Sequence, residues 1–425
     1  MAKVCARDAY RSMVHDGILA DGDCPDPNDL SILADTVYEK HGSQAALVNR
    51  LPLGKFHRAR ANSGYLVAGA LLLENVISSI LTLNYDLAIE DALTQLGAVD
   101  VQKIARPEDM TKFSAHNVIY LHRNVDEVDL EKWVLRASAL ESDWQQGWES
   151  MAAQVLLVSP VVTFAGLGSP AAVLLETTKR IRDRLGAMVT YQVDPSPAAD
   201  NEFFQALALP ADAFVQLGWN EFMSLLGKRV VVEQIDALRN ACAAEAQIEG
   251  FAVTNVDLVV ERLGENGLVD LGMRRAAWLF LDECYTPSSS LNVLLLSHLI
   301  IAASAIVQAI GAEDIVIRSE VVEFRATSGT SLGCAMLASG RGVRGWSAME
   351  AEVAIRRASL PRYDPQPLFA IVAGATGLPL SEVVAPLNIV TEPRSPNDIV
   401  DRESAFVLIN GHEVSRNPDM LLSVF

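Results

Sequence analysis

The stretch "SPVVTFAGLGSPAAVLLETTKRIRDRLGAMVTYQVD", residues 159–194, decides the fold. Residues 159–166 are apolar and read as a strand, 170–186 as a helix and 187–193 as a second strand. Between the first strand and the helix lies Gly166-x-Gly168-x-x-Ala171. In a dinucleotide fingerprint the first glycine permits the tight turn and the second lets the backbone approach a pyrophosphate. The small third residue lets helix and strand pack closely. The start of the helix offers N–H groups and partial positive charge to a phosphate. Asp194, just past the next strand, stands where an acid would bind ribose hydroxyls. The plain alternative is a glycine loop that only turns.

The same alternation extends upstream. A strand over 76–83 leads into a helix over 86–96. A strand over 117–121 precedes a helical segment, 127–156, rich in charge and tryptophan. Short, almost continuously apolar strands alternating with helices predict a parallel sheet covered on both faces. The expected class is α/β: a Rossmann-like parallel sheet, then a helical region and a small mixed α/β region. The expected domains are 1–215, 216–310 and 311–425, with the turn-rich "DPSPAADN" (194–201) near the first boundary. Helices are expected over 4–16, from Asp29 to a stop at Gly42, and over 62–74. No internal repeat or low-complexity tract interrupts the chain.

In an open parallel sheet, ligands bind beyond the carboxyl ends of the strands. Four predicted strands end on polar groups: Asn84–Tyr85–Asp86, His122, the glycine turn, and Asp194. If the strands are parallel, all four face one rim. Each residue has an ordinary alternative. Asn84 or Asp86 can cap a helix, the commoner job for Asp86, and His122 can be a satisfied or exposed histidine. The other six histidines have no such setting.

Composition narrows the classes. A net charge of −19 disfavours general nucleic-acid binding. The basic cluster at 179–184 reads as a solvated helix face. Five scattered cysteines without a CxxC are no disulfide framework and suit a reducing cytoplasm, and the first residues lack the apolar centre of a signal peptide. Residues 287–312 contain no Lys, Arg, Asp or Glu and are long enough to span a bilayer. Their recurring polar side chains favour a buried core or interface helix, so no membrane is expected. Zinc-ligand spacing, GxxxxGK[ST] and GxSxG are absent from the sequence.

The segments "LTLNYDLAIEDAL", "VIYLHRN", "SPVVTFAGLGSPAAVLL" with "YQVDP", and "LGWNEFMSLL" (217–226) resemble the sirtuin-like superfamily, in particular its bacterial NAD-hydrolysing branch found in anti-phage defence. The resemblance covers roughly residues 20–230. The family's opening strand and Gly-Ala-Gly-x-Ser loop have no counterpart here. The glycine that usually follows the histidine is Arg123, and the zinc-binding cysteines of the deacylases are missing. The resemblance implies an NAD-consuming hydrolase, with NAD as substrate and no zinc. It implies Asn84 as the group orienting the nicotinamide ribose and attacking water, and His122 as the general base. Gly166, Gly168 and Ser169 would line the ribose and phosphate path, Asp194 would hold the adenosine ribose, and Asp86 would lie nearby. It also implies assembly, as a homo-oligomer or with a partner protein from the same operon. The competing readings are a catalytically weak or inactive assembly module that binds a nucleotide or a defence partner, and a dehydrogenase. The dehydrogenase reading lacks an evident Tyr-x-x-x-Lys pair.

Overall fold

The fold is that of a computed structural model, which describes residues 2–136, 147–168, 172–185, 189–251, 254–318, 321–327, 331–338, 355, 368–373 and 406–423. The chain divides into two compact units, Met1–Leu225 and Leu226–Phe425. It is mixed α/β, with parallel sheets flanked by helices.

The first unit opens with helices α1 (Ala2–His15) and α2 (Leu30–His41). The Asp29 side chain caps α2 through the Ser31 and Ile32 N–H groups, and Gly42 ends it at φ +69°. A left-handed residue is where glycine is favoured, and here it lets the chain leave the helix. Ala9 and Met13 of α1 pack with Leu33 and Val37 of α2 in a core that includes Trp133 and Leu135.

Helix α3 (Ser63–Leu73) follows, capped by Asn62. Strand β1 (Ser79–Thr82), helix α4 (Ala88–Gln95), and strands β2 (Gln102–Ile104) and β3 (Asn117–Tyr120) come next. Ala88, Ile89, Ala92 and Leu93 form the buried stripe of α4 at helical spacing. Gly69 of α3 lies so close to α4 that an added Cβ would sit 2.9 Å from a Leu96 methyl. The remaining elements are α5 (Trp148–Leu156), β4 (Val161–Ala165), α6 (Ala172–Leu185), β5 (Val189–Val193), α7 (Glu202–Leu207), β6 (Phe214–Val215) and α8 (Trp219–Glu249).

Among the described residues the strands do not pair into the single sheet expected from the sequence. They form two three-stranded parallel sheets, ordered β1-β3-β2 and β4-β5-β6. Among the described residues β1 and β4 are edge strands with no hydrogen-bonded partner on their outer sides. One apolar core nonetheless receives both sheets: Ile104, Ile119 and Leu121 join Phe164, Leu174 and Phe203. Burying one face needs only shared side-chain packing, whereas joining the sheets needs backbone pairing, and sequence pattern reports the first alone. The segment expected to be helical over 127–156 contains a 3-10 turn (Leu130–Lys132) and α5, while 137–146 lie outside the described residues.

The second unit contains most of α8, then α9 (Val256–Gly264), α10 (Leu268–Trp278) and α11 (Ser290–Ile310). It also holds a five-stranded sheet ordered β11-β10-β9-β8-β7. These strands are β7 (Ala312–Arg318), β8 (Val321–Ala326), β9 (Ser331–Ala338), β10 (Leu368–Ala373) and β11 (Phe406–Asn410). Pairing is antiparallel from β7 to β9 and parallel from β9 to β11. Helix α11 passes a length-and-composition test for a membrane span, yet 67% of its most apolar window is buried inside the structure. It packs against β7, β9 and β10, between a Ser289 cap and a left-handed Gly311. Its Ser297 and Ser304 hydroxyls donate to the carbonyls of Leu294 and Ile300, so these buried polar groups are satisfied within the helix.

Candidate active site

Strand pairing brings the first two site residues together. In the parallel β1–β3 ladder Ser79 aligns with Asn117 and Thr82 with Tyr120. Asn84 and His122 each lie two residues past the carboxyl end of their strand, so both stand at the same end of this pair. The Leu121 N–H donates to the Thr82 carbonyl, carrying the pairing past the last register pair.

The imidazole of His122 is partly buried. Its Nδ1 lies 3.2 Å from the Leu83 carbonyl, and its ring stacks on Tyr85 at 5.9 Å between centroids. A carbonyl only accepts, so Nδ1 carries the hydrogen and the basic lone pair is at Nε2. Burial lowers the His122 pKa to about 4, against a smaller opposing effect of the Leu83 hydrogen bond. The ring is therefore neutral at pH 7.

The loop after His122 is firmly held. Arg123 adopts φ +69°, and its guanidinium is buried. Nη1 donates to the Ala105 carbonyl at 3.1 Å and pairs with a Glu149 carboxylate oxygen at 3.3 Å. The guanidinium also lies 5.1 Å from the Trp148 ring centroid. The Val125 N–H donates to the Tyr85 carbonyl, tying the end of this loop to the segment after β1.

Asn84 is exposed. Its Nδ2 donates to the Tyr65 hydroxyl at 3.1 Å, and its backbone N–H donates to the Thr82 hydroxyl. Asp86 accepts from the Ala88 N–H at 3.1 Å, the helix-starting job that its position before α4 favours. Tyr65 belongs to no motif in the sequence. The Asn62 cap four positions after Arg58 marks where α3 begins, but nothing local connects Tyr65 to Asn84.

Tyr65 is itself anchored. Its N–H donates to the Asn62 side chain, and its ring meets Trp219 at 5.9 Å. Gly64 approaches the same place so closely that an added Cβ would lie 2.4 Å from the Trp219 indole nitrogen. The Gly64 N–H donates to the Asn220 side chain. Gly64→Ala is expected to force α3 away from Trp219 and lower the stability of the first unit by about 1–3 kcal/mol in denaturant melts.

The remaining candidates belong to the other sheet. Gly166 has φ +71°, the left-handed conformation its tight turn requires, and its N–H donates to the Val193 carbonyl. The Leu167 carbonyl accepts from the side chains of Gln192 and Asn201, and the Gly168 carbonyl accepts from the Glu202 N–H. Gly166 and Gly168 are exposed on this pinned turn, and Ser169 lies outside the described residues. Asp194 is buried, and one carboxylate oxygen accepts from the Ser196 N–H at 2.8 Å. Asn84 and His122 thus follow adjacent strands of one sheet, and the glycine turn and Asp194 adjacent strands of the other, with no hydrogen-bonded strand pair joining the two sheets among the described residues. Among the described residues no β1–β4 pair forms, so the single rim expected from the sequence is divided between two sheets.

Among the described residues no group of three or more His, Cys, Asp or Glu side chains is arranged to hold a metal ion. The fold and site define an α/β protein with an amide and a neutral imidazole at the carboxyl ends of neighbouring parallel strands. No family model matches the chain, and no curated protein matches it.

Proposed function

We propose that the first unit is an NAD glycohydrolase of the sirtuin-like kind, cleaving NAD to nicotinamide and ADP-ribose in anti-phage defence. The observation that carries the reading is the parallel β1–β3 pairing, which puts exposed Asn84 and neutral His122 just past the carboxyl ends of adjacent strands. In this reading the bond from ribose C1′ to the pyridinium nitrogen breaks. Its electron pair leaves with nicotinamide and neutralises the ring cation, so no general acid is needed. Water attacks the oxocarbenium-like carbon, Asn84 orients it, and Nε2 of His122 takes its proton. A weak base suffices, because water bonded to that carbon is strongly acidic.

Gly166 and Gly168, which lack side chains and are exposed, suit the path of the ribose and diphosphate. Asp194 has one oxygen engaged in its turn, leaving the other for an adenosine ribose hydroxyl. That the two sheets flank one cleft belongs to the same proposal and is supported by their common apolar core.

A second reading, an assembly module that binds a nucleotide weakly, is favoured by one observation. Val161 (56% exposed), Val189 (47%) and Tyr191 (37%) leave an apolar face of the β4–β5 sheet open, although parallel sheets are normally covered on both sides. Incubating the protein with NAD, alone and with partners from its operon, separates the readings. The hydrolase releases nicotinamide and ADP-ribose. The module leaves NAD intact in every combination.

A further inference from the structure

We propose that Tyr65 is a positioning residue that fixes the orientation of the Asn84 carboxamide, so that the amide oxygen rather than the amide nitrogen is presented to substrate. This rests on the NAD-cleaving reading of the site and adds a residue to it.

An exposed asparagine side chain ordinarily rotates about its last torsion and offers either end to a ligand. Asn84 has its nitrogen end engaged, because Nδ2 donates to the Tyr65 hydroxyl at 3.1 Å. Its Oδ1 has no protein donor among the described residues. The carboxamide is planar, so holding Nδ2 points Oδ1 away from Tyr65. An acceptor in that position suits a hydroxyl donor such as a ribose hydroxyl or a water, and disfavours a carbonyl or phosphate oxygen.

The anchor is itself tied down by a backbone hydrogen bond and a ring contact. Tyr65 sits in the first turn of α3, with its N–H on the Asn62 cap and its ring against Trp219. The missing Cβ of Gly64 admits the indole at this spot. Burial raises the Tyr65 pKa, and the charge of Asp86 raises it further against the lowering effect of the Asn84 hydrogen bond. The phenol therefore stays protonated through the neutral range, with its oxygen accepting from Asn84 and its hydrogen available for a second bond.

The test compares wild type with Tyr65→Phe in the full chain. Phenylalanine keeps the ring on Trp219 and removes only the hydroxyl, so the melting temperature is expected to be unchanged. Losing one orienting bond is expected to lower kcat for NAD about tenfold, with KM moving less than about twofold. In protein labelled with nitrogen-15 asparagine, the Asn84 side-chain amide resonances are expected to shift. Unchanged kcat, with or without that shift, overturns the proposal, as does a lowered kcat without the shift. If wild type releases no nicotinamide while the Asn84 resonances shift in Tyr65→Phe, the contact stands and the NAD-cleaving reading falls.

Discussion

His122→Ala is expected to lower nicotinamide release from NAD by about 10²–10⁴-fold, the range for loss of a positioned general base. Alanine removes Nε2 and also the stack on Tyr85, so His122→Gln separates the two effects by filling the space without a base of comparable strength. Both variants are expected to lose activity, the glutamine one with less change in stability. The pH profile gives the sign. As the proposed general base the imidazole works when neutral, and burial pushes its pKa down to about 4 in the folded protein. Activity is therefore expected to hold through the neutral range and to fall as pH drops through about 4.

Stability follows the same linkage. The His122 pKa is lower in the fold than in the unfolded chain, where it is 6.5. Between these values the unfolded state binds more protons. The contribution of neutral His122 is thus fully present above pH 6.5 and is lost as pH falls to about 4. Linkage sets its upper size at about 3 kcal/mol. His122→Gln is expected to flatten that part of the stability–pH curve, measured as the difference from wild type by denaturant unfolding.

The second large effect is expected at Arg123. Arg123→Ala leaves the Glu149 carboxylate without its cation, and Glu149 side-chain exposure is only 8%. Removing one partner of a buried pair costs about 3–5 kcal/mol. Burial is already the larger influence on Glu149, raising its pKa against the lowering effect of Arg123. The variant is therefore expected to take up a proton at Glu149 and lose stability with rising pH. At φ +69° a Cβ is disfavoured, so Arg123→Gly is expected to be about 1 kcal/mol more stable than Arg123→Ala. Adding Glu149→Gln is expected to restore part of the loss in either background. Guanidinium unfolding of the single and double variants checks all three.

Much of the first unit is legible from residue pattern. The apolar run at 117–121 marks β3 to within one residue, and Gly42 marks the end of α2. Asn84 and His122 are recognisable because each polar group follows an apolar strand run, half-buried in β1 and buried in β3. Their placement at one end of the sheet is legible because β1 and β3 are adjacent and parallel. Strands β2 and β6 are too short, at three and two residues, to show a period. The division into two sheets depends on backbone pairing, which leaves no trace in hydrophobic pattern. The Tyr65–Asn84 hydrogen bond joins different elements, so no spacing rule announces it. Arg123 shows the opposite case. The residue type hides a left-handed backbone that glycine would have advertised, and a buried acid stabilises the exception.

The most direct measurement is a crystal structure of the protein with a non-hydrolysable carbocyclic NAD analogue. The account predicts the nicotinamide-side ring within hydrogen-bonding reach of Asn84 and His122, and the diphosphate along Gly166 and Gly168. An analogue bound at the glycine turn with its nicotinamide directed away from Asn84 and His122 would contradict it.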